Sequence, residues 1–185
     1  MDPVVCEFKA IPSHNYAFRL AVQEKDSKLF MKTSSDIEFP YENVALTKAG
    51  STCSASSIYD KYYCTKTIDG NMISQWLSVH IGGGNDIWIQ VNFKAEKIIF
   101  QIALVHRRAS STGPREVTLK FSDDSEQLFS DLRCDDAAGA KDILKINLAW
   151  TTFVKVTFIT ECFEGNTNFG LAEIIADAFI LIEDD

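Results

Sequence analysis

Ile87-Trp88-Ile89-Gln90-Val91-Asn92-Phe93 is the stretch from which the rest of the chain can be read. Ile87, Ile89, Val91 and Phe93 alternate with Trp88, Gln90 and Asn92, and a period of two is what a strand with one buried face requires. The pattern returns downstream: Val117, Leu119 and Phe121 alternate with Thr118 and Lys120, Leu144, Ile146 and Leu148 with Lys145 and Asn147, and Val154, Val156 and Phe158 with Lys155 and Thr157. Residues 98 to 105 are apolar on both faces apart from Gln101. No segment carries the stripe of an amphipathic helix. Short strands with turns between them predict an all-β chain, an antiparallel β-sandwich or barrel rather than a doubly wound sheet. Asn43 to Leu46 reads as a further strand leading into a polar connection, Gly50 to Ser57, and the apolar tail Leu171 to Ile182 as the closing strand or strands.

At 185 residues, 46% hydrophobic and 24% charged, the chain is large enough for one domain with a true core. The first forty-odd residues are less regular. Runs at 4–11, 16–22 and 28–32 are separated by turn-rich Pro12-Ser13-His14-Asn15 and Glu24-Lys25-Asp26-Ser27. They are expected to form a β-hairpin arm or extension over residues 1–42, beside a sandwich domain over 43–185. No run of eighteen apolar residues is present, so no transmembrane segment is expected, and the amino terminus lacks the layout of a signal peptide. A net charge of -8 opposes attraction to phosphate backbones and anionic membranes, which argues against nucleic acid as a partner. Five cysteines without a CxxC, and three scattered histidines, argue against zinc. Cys53 with Cys64 and Cys134 with Cys162 are candidate disulfides in an oxidising compartment, and reduced buried thiols are the alternative. The compartment, secreted, cell-surface or cytoplasmic, stays open. No serine-nucleophile elbow, zinc-protease motif or dinucleotide fingerprint occurs, and Gly82 to Gly84 lacks the Lys-Ser/Thr of a phosphate loop, so the chain reads as a binding module and not an enzyme.

Thr67 to Ser78 holds the densest chemistry. Asp69, Asn71 and Ser74 are hard oxygen donors of the kind Ca²⁺ takes, and Gly70 permits a turn that a side chain would obstruct. Asp-Gly-Asn is also ordinary turn chemistry, so the loop alone does not decide.

Asn43-Val44-Ala45-Leu46, Ile68-Asp69-Gly70-Asn71, Trp76-Leu77-Ser78, Trp88-Ile89-Gln90-Val91 and Asn168-Phe169-Gly170-Leu171-Ala172-Glu173-Ile174 together resemble the discoidin-like, galactose-binding-like jelly rolls. These include the coagulation-factor C-type domains and the fucose-binding F-type lectins. The likeness covers residues 41–180 and leaves the amino-terminal arm unexplained. It implies a structural calcium ion between the early loop and an acid near the last strand. Transferred residue by residue, Asp69, Asn71 and Ser74 or Ser78 become side-chain ligands, joined by Glu173 and by the carbonyls of Lys66 and Ala172.

F-type lectins hold fucose with a histidine followed by two arginines. The matching positions are His80, with Arg107 or Arg108, and Arg115, while Trp76, Tyr62 or Tyr63 could offer a stacking face. Two departures count against direct transfer: Ser110 stands where an aspartate is expected after Arg108, and the adjacent cysteine pair is missing. Val79 and Ala172 also occupy positions where those lectins often carry bridging cysteines. The resemblance implies a lectin-like module for fucose- or galactose-type glycans or glycoproteins. The other reading is a protein-interaction or cell-adhesion domain of the same fold, with the arm serving a partner or a homo-oligomer.

Overall fold

The computed structural model describes residues 18–22, 30–34, 41–79, 87–107, 113–134, 139–162 and 168–179. The described residues fall into two compact units, divided between Pro40 and Tyr41. The first contains an antiparallel hairpin, β1 (Phe18–Val22) and β2 (Phe30–Ser34), in register from Phe18 opposite Ser34 to Val22 opposite Phe30. The expected run at 4–11 lies outside the described residues.

The second unit is all β apart from two short 3-10 turns. Its strands are β3 (Tyr41–Asn43), β4 (Thr52–Ala55), β5 (Trp76–Leu77), β6 (Ile87–Val105), β7 (Pro114–Phe121), β8 (Glu126–Phe129), β9 (Lys141–Glu161), β10 (Gly170–Leu171) and β11 (Glu173–Phe179). The architecture rests on β6 and β9, 19 and 21 residues long, which pair antiparallel along both their halves. Their register breaks between Asn92 and Lys97. On one side of that break, β4 and β9 flank β6, with β7 and β8 beyond β9. On the other, β11 and the opposite half of β9 flank β6, and β3 lies beyond β11. Bulges of this kind bend a strand and raise its twist, so one sheet becomes both layers of a jelly-roll sandwich.

The alternation along β6 is real: Ile87, Ile89, Val91 and Phe93 are buried while Trp88, Gln90 and Asn92 are half-buried. With Val117, Leu119, Phe121, Val154 and Val156 they meet Ile102, Leu104, Leu144, Ile174 and Ala176 in one core. Residues 98 to 105 read as two-faced because Phe100, Ala103 and Val105 are buried on the opposite side as well.

Two local expectations differ from the structure. The first strand ends at Asn43, because the Asn43 Oδ1 accepts the N–H groups of both Ala45 and Ala176 (3.0 and 3.1 Å), which turns the chain out of the ladder. The stretch at 50–57, expected as a connection, contains strand β4, whose Cys53 is bonded to Cys64. Cys134 is likewise bonded to Cys162, so both candidate pairs form.

Ile89 is fully buried between β4 and β9. Ile89→Ala should therefore lower unfolding stability by about 2–5 kcal/mol. Urea titration would show an earlier midpoint with the same denaturant slope, and a loss under about 1 kcal/mol would contradict this packing.

Candidate functional site

Thr67 to Ser74 forms a compact turn around one hydroxyl. Ser74 Oγ lies 3.0 Å from Lys66 O and 2.8 Å from Asp69 Oδ1, Asp69 Oδ2 and Asn71 O. A serine hydroxyl has a single proton and can donate to one of these acceptors at a time. The remaining close oxygen pairs have no proton between them, and a positive centre is what relieves such a gathering. Gly70, at φ 77°, supplies the left-handed turn that lets these oxygens converge.

The turn meets β11. Gly70 N–H donates to Glu173 Oε1 at 3.1 Å, a contact between residues 103 apart in sequence. Glu173 is only 1% exposed, and its Oε2 is buried with no hydrogen-bond partner among the described residues. Burial pushes its carboxyl from the usual 4.5 up to about 7; the Gly70 bond opposes the shift and the charge of Asp69 adds to it. An orphaned buried carboxylate oxygen beside a turn of converging oxygens fits a hard cation with oxygen ligands. Among the described residues no three His, Cys, Asp or Glu side chains gather, so the donor set is carbonyl and hydroxyl oxygen with two carboxylates and does not suit zinc.

Of the expected metal ligands, Lys66, Asp69 and Ser74 meet within the turn, and Glu173 reaches the turn through Gly70 N–H. Asn71 turns its carbonyl rather than its side chain towards Ser74 Oγ, and its Oδ1 accepts Ile73 N–H at 3.0 Å. Ser78 is corrected: it is fully buried, its hydroxyl accepts Phe169 N–H at 2.8 Å, and its own N–H donates to Phe169 O. Ala172 precedes Glu173 and donates its N–H to Val105 O, which fixes the start of β11.

The expected sugar ligands are divided. His80 and Arg108 lie outside the described residues. Trp76 is also corrected: it is 0% exposed, packs on Phe158 at 5.6 Å between ring centroids, and donates Nε1–H to Ser57 O. A ring so enclosed has no face to offer a sugar. Arg115 is exposed on β7. Arg107 follows β6 and is half-buried; its Nε–H donates to Gln75 Oε1 at 3.1 Å. Its stem crosses Gly170, where an added Cβ would sit 2.9 Å from Arg107 Cδ and from the Trp76 carbonyl. Burial lowers the Arg107 pKa from its ordinary value, and the nearby Tyr62 opposes that shift. Tyr62 in turn lies near parallel to Tyr59, centroids 6.4 Å apart. The contacts of Gln75 and Gly170 with Arg107 are not legible in the sequence, since Gln75 looks like any loop amide and Gly170 acquires meaning only when β10 passes under Arg107.

Residues 51–174 match the model of the F5/8 type C domain. No curated protein matches the chain in sequence. Among solved structures, it resembles the family 32 carbohydrate-binding module of Clostridium perfringens NanJ in complex with galactose (TM-score 0.60, 15% identity, 75% of this chain and 99% of that one). It also resembles the lectin domain of lectinolysin complexed with Lewis B antigen (TM-score 0.57, 22% identity, 73% and 95%). A third is the fucolectin from striped bass, Morone saxatilis, serum (TM-score 0.59, 14% identity, 78% and 51%).

Glu173 makes the fold sensitive to pH. The folded protein holds the Glu173 proton up to about 7, whereas the unfolded chain releases it near 4.5. Stability in chelator should therefore fall as pH rises from 4.5 to about 7 and level off above. Glu173→Gln should flatten that fall; equal pH dependence of the two proteins in thermal melts would contradict the burial argument.

Proposed function

The chain belongs to the F5/8 type C domain family, and from that premise we propose that it is a calcium-braced carbohydrate-binding module. It takes fucose- or galactose-type glycans, free or on glycoproteins, through loops at one end of the sandwich. The observation that carries the reading is Arg107, a half-buried guanidinium braced by Gln75 and passing over Gly170. A neutral sugar must exchange its hydration for fixed donors, and a pre-set guanidinium with aromatic surface nearby suits that exchange. Tyr59, Tyr62 and Tyr63 supply the aromatic surface, with Arg115 and, from the sequence pattern, His80 and Arg108 as further donors. Galactose, Lewis B antigen and the fucolectin name among the structural neighbours agree with this substrate class.

Calcium is assigned to the oxygen cluster, with Asp69, Ser74, Glu173 and the carbonyls of Lys66 and Asn71 as ligands and Ala172 O as a further candidate. When bound it supplies charge balance and ties the early turn to the last strand. Two disulfides point to an oxidising compartment, which suits a secreted or cell-surface module.

A second reading, a protein-interaction or adhesion surface, draws on the exposed apolar residues Ile58, Tyr59, Tyr63, Met72, Ile73 and Val79, all in one part of the chain.

Two measurements follow. Calcium at about a hundredfold over its Kd should stabilise the protein by about 2.7 kcal/mol, raising Tm by roughly 5–10 °C, and Asp69→Ala should abolish the rise. Titration of fucose- and galactose-terminated oligosaccharides should show specific binding that Arg107→Ala or Arg115→Ala weakens about 10- to 100-fold. No specific glycan signal, with protein capture that survives Arg107→Ala and is lost on Ile73→Ser, would favour the second reading instead.

A further inference from the structure

Beside Arg107 lies a buried polar pair that glycan recognition does not itself use. His106 directly follows β6 and Asp142 is the second residue of β9; they are 4% and 8% exposed. His106 Nε2 is 2.5 Å from Asp142 Oδ2, a hydrogen bond that joins the start of β9 to the residue after β6. Resting on the ligand site proposed above, we propose that the His106–Asp142 pair is the positioning element that sets both Arg107 and Arg115 before a ligand arrives.

The connections run in a closed circuit. Arg107 is the next residue after His106, whose N–H donates to Ala140 O at 2.8 Å and whose carbonyl accepts Gly139 N–H at 3.3 Å. Asp142 also accepts the Arg133 N–H, 3.2 Å from each carboxylate oxygen. One residue earlier, Leu132 N–H donates to the carbonyl of Arg115 at 3.0 Å. On the other flank, Gly113 presses against the imidazole, since a Cβ there would lie 3.0 Å from His106 Nδ1. Gly113 O accepts Cys162 N–H at 3.2 Å, and Cys162 is bonded to Cys134, the neighbour of Arg133. The circuit thus returns to its start, and Arg107 and Arg115 leave it at separate points, each anchored through its main chain.

A buried polar pair is a weak source of stability, since apolar residues of equal volume can hold a core as well or better. What it fixes is direction: the hydrogen bond has one geometry, and the loops bonded to it inherit that geometry. Arginine side chains set in advance lose less freedom when a ligand binds.

The test compares His106→Leu and Asp142→Leu with His106→Gln, whose side-chain amide places a donor near the Nε2 position. In oxidised, ¹⁵N-labelled protein, the Arg107 and Arg115 Nε–H signals report the two side chains without any ligand. Both Leu variants should shift both signals and weaken binding of methyl fucoside or methyl galactoside about tenfold, whereas His106→Gln should keep wild-type signals and affinity. Leu variants that melt earlier yet leave both arginine signals in place would overturn the proposal. So would His106→Gln moving them as far as His106→Leu. Should Asp142→Leu fail to fold, the two His106 variants decide the matter. Should the wild type bind neither sugar, the ligand reading fails, while the arginine signals still decide whether the pair positions the two side chains.

Discussion

A glutamate with almost no access to water is the constraint around which this end of the molecule is organised. One Glu173 oxygen accepts the N–H of Gly70, and the other is buried with no partner among the described residues. Removing a carboxylate from water is costly unless it is protonated or compensated by positive charge. The chain answers with a turn whose own oxygens, from Lys66, Asp69, Asn71 and Ser74, already crowd together. Two regions 103 residues apart are each electrically unfavourable alone, and a shared cation would resolve both. The turn then leads straight into Gln75, whose Oε1 accepts Arg107 Nε–H, so the oxygen cluster and Arg107 are joined by one short stretch of chain.

The sandwich that brings these places together depends on two strands long enough to serve in both layers. Because β6 and β9 stay paired on either side of the break at Asn92 and Lys97, the layers share backbone rather than only side-chain packing. Most of the core follows from this, as does the location of Arg107 and Asp142 at one end, where β6 stops and β9 begins.

Much of this was legible in the amino-acid sequence because period-two alternation survives in any strand with one wet face, as it does from Ile87 to Phe93. Short strands such as Thr52 to Ala55 escaped notice because Thr, Cys, Ser and Ala carry little apolar contrast. The turn at Asn43 escaped because a side-chain oxygen replaces a ladder acceptor there. At the turn, residue type shows which side chains carry oxygen but not which atoms gather: Asn71 turns its carbonyl to Ser74 and spends its side chain on Ile73, and Ser74 rather than Ser78 faces Asp69. Trp76 reads as a stacking face by residue type alone, yet it lies wholly inside the core. The His106–Asp142 contact has no motif at all, since its partners are 36 residues apart.

The central claim is that the Asp69 turn and Glu173 hold one cation between them, and calorimetric titration of calcium into chelator-treated protein tests it most directly. The expected result is a single site per chain that Glu173→Gln and Ser74→Ala weaken severely and Ser78→Ala, in folded protein, leaves intact. Absence of binding heat, or binding unchanged by Glu173→Gln, would contradict it.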